Sequence, residues 1–247
     1  MKKTLISRFD SKIFSICYLL YSVIAWTAVL IIQILHKTNY DNQNLTNVVH
    51  VIVPVFCAIS LMYSILTIHI KTNWLISLAL LFCFIAELLG ALSISNNVVV
   101  FVGCHVCLII YFCKVKSFSK EDVVKLIPIL CLYIAYVLFC FLWLIPRQNK
   151  VDFIFKFGVP AYGLLLCAML WRAICTYKQP QWLLYGVTAV LFFLSDLNVL
   201  VEAIIGFGRT DPLGLYLFTW ITYPLTITLV SLFNRNTLHF VDLNHAV

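Results

Sequence analysis

The chain has 247 residues, 63% of them hydrophobic and 11% charged, with a formal net charge of +7 and a mean hydropathy of +1.00. A soluble globular domain is about one quarter charged, so this composition excludes one and points to an all-α, polytopic membrane protein. The basic residues are spread through short loops without a basic run, which argues against a nucleic-acid partner and for membrane topology.

Windows of about 20 apolar residues can cross a ~30 Å hydrocarbon core as helices. Eight occur, at 13–35, 47–69, 74–94, 97–113, 125–145, 153–175, 181–205 and 214–233. They take up nearly the whole chain, so residues 1–247 read as one integral membrane domain. The first window follows Lys2 and Lys3 as a signal peptide would. It is too long for such a segment and no clear A-x-A site follows, so it reads as an uncleaved span. The third and fourth windows are separated by the polar run Ser93 to Asn97, and merging them would give too long a span.

Orientation follows from Lys and Arg. With the N-terminus inside, the cytoplasmic side holds Lys2, Lys3, Arg8, Lys12, Lys71, Lys114, Lys116, Lys120, Lys125, Arg172, Lys178 and Arg235. The other side holds only Lys37, Arg147, Lys150, Lys156 and Arg209. The positive-inside rule therefore predicts both termini in the cytoplasm. The most charged connection, "KVKSFSKEDVV" at 114–124, reads as a solvated loop whose "SFSKED" caps the fifth helix. No low-complexity segment, P-loop, GxGxxG or HExxH is present.

Ten cysteines fall almost entirely inside apolar windows, where cysteine acts as a small hydrophobe; they do not form a disulfide framework. "CHVC" at 104–107 sets two thiols around His105, but two sulfurs and a poorly aligned imidazole are an incomplete metal site. No metal or cofactor is expected. "FCFIAE" (82–87) and "LFFLSD" (191–196) are weakly similar, each about four turns beyond a tryptophan, as a four-helix duplication or shared membrane-helix habits would produce.

An acid deep in a span is costly, by ~2.5–3.5 kcal/mol on insertion scales, and marks a candidate functional site. Glu87, Asp196 and Glu202 lie inside windows, and the other seven acids are assigned to loops or tails. At 1.5 Å per residue, Glu87 and Asp196 lie about 20 Å from the cytoplasmic edge. His105, Tyr162 and Tyr223 lie about 12–14 Å from the outer edge, so the five form one layer in the outer half of the membrane. Glu202 is about 120° around the helix from Asp196 and nearer the interface, where it can snorkel to water. Asn198 is placed to flank the face of Asp196, while Ser195 points elsewhere. Each polar residue also has a purely structural reading as interhelical glue, or for the tyrosines as packing.

Apolar burial disfavours the charged form of a carboxyl, so a buried acid can act as a general acid near neutral pH. A pair of such acids suits reactions that pass through an oxocarbenium ion. It suits proton transfer in a carrier equally well. Composition does not separate the two.

Eight spans, an acid in the third, "HV…Y" in the fourth and "LFFLSDLNVL" in the seventh together resemble the lysoplasmalogenase (YhhN-like) membrane proteins. The resemblance covers roughly 74–235. Ser195-Asp196 matches the family's Ser-Asp pair, Ala86-Glu87 stands where the family usually has Gly-Asp, and His105 matches its histidine. The family's H-x-x-Y is absent, with Tyr111 six positions on. Tyr162 and Tyr223 look like the tyrosines of the sixth and eighth helices. The resemblance implies a multi-pass hydrolase of the lysoplasmalogen vinyl ether, in the plasma (inner) membrane if bacterial. Asp196 and Glu87 would be the acid/base pair. His105, Tyr162, Ser195, Asn198 and Tyr223 would bind substrate, an alkenyl lysophospholipid reached among membrane lipids. A lipid-binding member without activity and a proton-coupled transporter remain the alternatives.

Overall fold

The computed structural model describes residues 11–38, 43–67, 74–90, 94–147, 153–205 and 213–236. Eight α-helices follow in chain order: α1 (Ser11–Thr38), α2 (Gln43–Leu66), α3 (Trp74–Gly90), α4 (Ile94–Val115), α5 (Lys120–Phe139), α6 (Phe153–Cys175), α7 (Trp182–Ile205) and α8 (Leu213–Asn236). No strand occurs among the described residues. Each helix sits on one of the eight apolar windows. Six are long and apolar enough to cross a membrane, while α3 and α8 carry the shorter apolar stretches Trp74–Leu89 and Leu217–Phe233. Large apolar side chains point outward along the bundle, among them Ile24, Val99 and Leu142. A water-soluble bundle would bury that surface; here lipid covers it. The protein is a multi-pass integral membrane protein.

α5 starts five residues before its apolar window, and its other end changes register. Pro146 has no N–H to continue the i→i−4 ladder. The helix responds by widening to a π-turn over Cys140–Leu144 and then tightening to a 3-10 turn over Ile145–Arg147.

Side-chain bonds fix how the helices alternate. Near the start of α1, Ser15 and Tyr63 at the end of α2 lie 2.8 Å apart. Tyr18 donates to Ser60 of α2 at 2.9 Å and accepts from Ser231, near the end of α8, at 2.8 Å. Ser64 of α2 and Ser77 of α3 are 2.8 Å apart, and the Lys114 ammonium of α4 lies 5.8 Å from the centre of the Trp74 ring at the start of α3. Odd helices therefore begin, and even helices end, at one end of the bundle. That end carries most of the described lysines and arginines.

Chain neighbours pack on one another except α4 and α5, α4 instead packs on α6, and α8 closes the bundle against α1, α2 and α3. The pairs α4–α6 and α8–α2 correspond on a shift of four helices. Two glycines admit close neighbours: a Cβ at Gly103 of α4 would lie 2.7 Å from the Phe82 ring, and one at Gly163 of α6 would collide with the Tyr136 ring. Small residues at such points let membrane helices approach closely.

Candidate functional site

α7 buries Phe192 and Phe193 against the bundle, and this orientation turns Asp196 inward one helical turn later. The Asp196 side chain is 9% exposed, and the His105 side chain of α4 is fully covered. Asp196 Oδ2 accepts a hydrogen bond from Tyr162 Oη of α6 at 2.7 Å and lies 2.8 Å from His105 Nε2. Tyr162 Oη is 2.9 Å from the same nitrogen. Carboxyl, imidazole and phenol thus form a closed triangle contributed by three helices.

The imidazole is held on its other sides too. The Phe192 ring meets it edge-on at 5.0 Å and the Phe101 ring stacks at 6.4 Å between centroids. Its Nδ1 lies 3.3 Å from the Met169 thioether sulfur. A thioether has no proton and can only accept, so this contact is favourable when Nδ1 carries the proton. With the ring proton on Nε2 instead, the imidazole donates to the Asp196 carboxylate, and hydrogen bonds in this water-poor setting are strengthened by the absence of competing water.

Glu87 has a separate neighbourhood. On α3 it is about 20 Å from the basic end, the same depth as Asp196 on α7, and it lies within electrostatic range of Tyr223 of α8. Tyr223 Oη in turn lies 3.8 Å from the Cys57 thiol of α2. The two acid centres share a wall. The Phe101 ring that stacks on His105 meets Tyr223 edge-on at 5.8 Å, and the buried Cys83 thiol, 3.4 Å from Cys104, lies within electrostatic range of both Glu87 and Asp196. Glu87 is itself only partly covered.

The structure thus brings Asp196, His105 and Tyr162 into direct contact and sets Tyr223 against Cys57, within electrostatic range of Glu87. Asn198 turns to α8, where its Nδ2 donates to Thr219 at 2.7 Å. Ser195 is fully buried and its hydroxyl has no hydrogen-bond partner, so it takes no part in the triangle. The Glu202 side chain, expected at the interface, lies outside the described residues. Of the "CHVC" thiols, Cys104 pairs with Cys83. No group of three or more His, Cys, Asp or Glu able to hold a metal occurs among the described residues.

Two features escaped the sequence. Met169 is seven residues, two turns, from Tyr162, so i,i+7 spacing puts it on the same face of α6; that signal was available. The other is Asp122. It was assigned to a solvated loop, but it lies in the first turn of α5 and is fully buried. It accepts from the Ser119 backbone N–H at 2.9 Å, the return half of the expected capping box. It also draws in Lys116, Lys125 and Arg172, at 2.7, 3.5 and 3.9 Å. A carboxylate ringed by three cations loses little by leaving water, which is why the loop reading failed there.

The sequence profile of the YhhN family matches residues 46–230, from α2 to α8. The chain belongs to the YhhN family. The match begins in α2, ahead of the stretch 74–235 that carried the resemblance, and it takes in both acid centres, including Cys57. Among curated proteins and solved structures nothing matches the chain. Within this YhhN protein the two acids come from α3 and α7, and their polar partners come from α8 and from α4 and α6. Each acid therefore reaches across the bundle to a helix other than its nearest chain neighbour alone.

Proposed function

We propose that the protein hydrolyses the vinyl ether bond of lysoplasmalogens, releasing a fatty aldehyde and a glycerophospho-alcohol. The observation that carries this reading is the Asp196–His105–Tyr162 triangle, a carboxyl hydrogen-bonded to an imidazole and a phenol at membrane depth. Vinyl ethers are cleaved by delivering a proton to carbon, and that demands an acid kept away from bulk water.

The steps balance. The carboxyl of Asp196 gives its proton to the β-carbon of the alkenyl chain, converting the C=C–O unit to an oxocarbenium ion. His105 and Tyr162 stabilise the carboxylate left behind. Glu87, acting as the base, takes a proton from water as the water oxygen bonds to the α-carbon. The hemiacetal then transfers its hydroxyl proton to the glycerol oxygen as the C–O bond breaks, leaving aldehyde and alcohol. Negative charge fixed beside the developing cation lowers the barrier. A substrate that is itself a membrane lipid can reach residues about 20 Å inside the bundle from the bilayer side, with its head group at the nearer surface.

The test is aldehyde release from a 1-alkenyl lysophospholipid by purified, monodisperse protein, compared with Asp196→Asn and Glu87→Gln. Release that both variants abolish is the expected result. No aldehyde from intact wild-type protein overturns the enzyme reading for this substrate, and proton-coupled solute uptake into liposomes would replace it with the carrier reading.

A further inference from the structure

At the basic end of the bundle, far from both acids, the ends of α4 and α6 meet the starts of α5 and α7. Between them lies a cleft of about 270 Å³, lined by Lys116, Ser119, Lys125, Tyr177, Lys178 and Gln179, with Glu121 at its edge. We propose that this cleft binds a phosphate group carrying net negative charge.

Charge is the first reason. Asp122 is the only carboxylate that Lys116, Lys125 and Arg172 share among the described residues, so within those residues the cluster keeps two positive charges uncancelled. The Glu121–Lys178 pair, at 3.8 Å, is neutral as a unit and adds nothing to the balance. The cations are not freely solvated: the side chains of Lys116 and Lys125 are 20% and 25% exposed, and that of Arg172 is 5% exposed. Uncompensated charge at such sites is unfavourable, and an incoming anion relieves it. Arg172 also has two nitrogens, Nε and Nη1, without a hydrogen-bond partner. Its remaining Nη2 donates to the Lys116 carbonyl at 2.6 Å, so the guanidinium tethers a residue that lines the cleft.

Geometry is the second reason. The cleft offers ammonium, hydroxyl and amide donors around a space of several water volumes, enough for a tetrahedral anion and part of its hydration shell. Lys178 is the one non-glycine residue with positive φ among the described residues, at 78°. The turn after α6, closed by the Gln179 N–H to Thr176 carbonyl bond at 2.8 Å, thus holds a lysine where glycine or asparagine is the easier choice. Tyr177 and Trp182, half exposed and in edge-to-face contact at 5.3 Å, flank the cleft as interfacial aromatics do. A lipid head group at the membrane surface and free phosphate in solution both supply this chemistry. The proposal stands independently of the reaction at Asp196.

The test uses full-length protein in nanodiscs of phosphatidylcholine, of phosphatidylcholine with phosphatidylglycerol, and of phosphatidylcholine with inorganic phosphate added. Chloride is matched for ionic strength, and the readouts are thermal shift and native mass spectrometry. Two exposed residues give variants that leave the buried cluster intact. Lys178→Asn removes a cation in a residue type that tolerates positive φ, and Glu121→Gln removes the competing carboxylate. Affinity should fall about two- to fivefold in the first and rise by a similar factor in the second, as exposed charge pairs allow. Binding with phosphatidylglycerol alone identifies a head-group site, and binding with phosphate alone a free-anion site. No binding in either arm, or two variants whose affinities do not move in opposite directions, overturns the proposal.

Discussion

Asp196 and Glu87 lie at the same depth in corresponding helices, yet their surroundings differ. Asp196 is tied to an imidazole and a phenol, and the imidazole is fixed in turn by Met169. Glu87 has a phenol, a thiol behind it and partial exposure. The first setting fixes the carboxyl through two hydrogen-bonding partners. The second leaves a longer, less constrained carboxyl. The difference teaches that two acids at one level need not be interchangeable, and on the proposed reaction it assigns proton donation to Asp196 and water activation to Glu87.

The largest effect should come from Asp196→Asn, which removes the transferable proton while keeping shape. Aldehyde release should fall about 10²–10⁴-fold, the usual worth of a positioned acid or base. Glu87→Asp keeps the charge and withdraws the carboxyl by about one bond length. A loss approaching about 10²-fold is expected, since misplacement by ~1 Å can cost that much. Full activity in Glu87→Asp would show that the Glu87 centre tolerates either acid and would break the distinction drawn above. Tyr162→Phe deletes one hydrogen bond to Asp196 and should cost about 1.5–3 kcal/mol of transition-state stabilisation, read as kcat/KM. Tyr223→Phe, at the other centre, should cost less.

Smaller effects sharpen the same contrast. Met169→Leu conserves volume, so stability should change by less than about 1.5 kcal/mol. The imidazole loses its Nδ1 acceptor, so its ¹⁵N resonances should shift toward a mixture of tautomers. Unchanged resonances would show that Met169 does not set the tautomer. Asn198→Ala removes the bond to Thr219 and should lower stability by about 0.6 kcal/mol, the mean for interhelical hydrogen bonds in a membrane protein, with activity kept.

How far the sequence reached follows from the same geometry. Helix positions came from apolar length, and the common level of Glu87 and Asp196 came from a fixed rise per residue. Depth says nothing about azimuth. Which helix each acid faces depends on the packing of α8 against α3 and of α4 against α6, and no local pattern encodes that. Sequence alone thus places Tyr223 at the level of both acids without showing that it meets Cys57, and it does not show that Ser195 is buried without a hydrogen-bond partner. Asp122 shows the converse: a charged, loop-like stretch hid a buried carboxylate because its three cations come from the connection after α4, from α5 and from α6.

The most direct measurement is the fate of the proton. Hydrolysis in D₂O, with the aldehyde trapped as it forms and analysed by mass spectrometry, reports whether solvent hydrogen is delivered to carbon. The account predicts one deuterium at the aldehyde carbon next to the carbonyl, in a product whose formation collapses in Asp196→Asn. Aldehyde without that deuterium, or formed at an undiminished rate by Asp196→Asn, would contradict it.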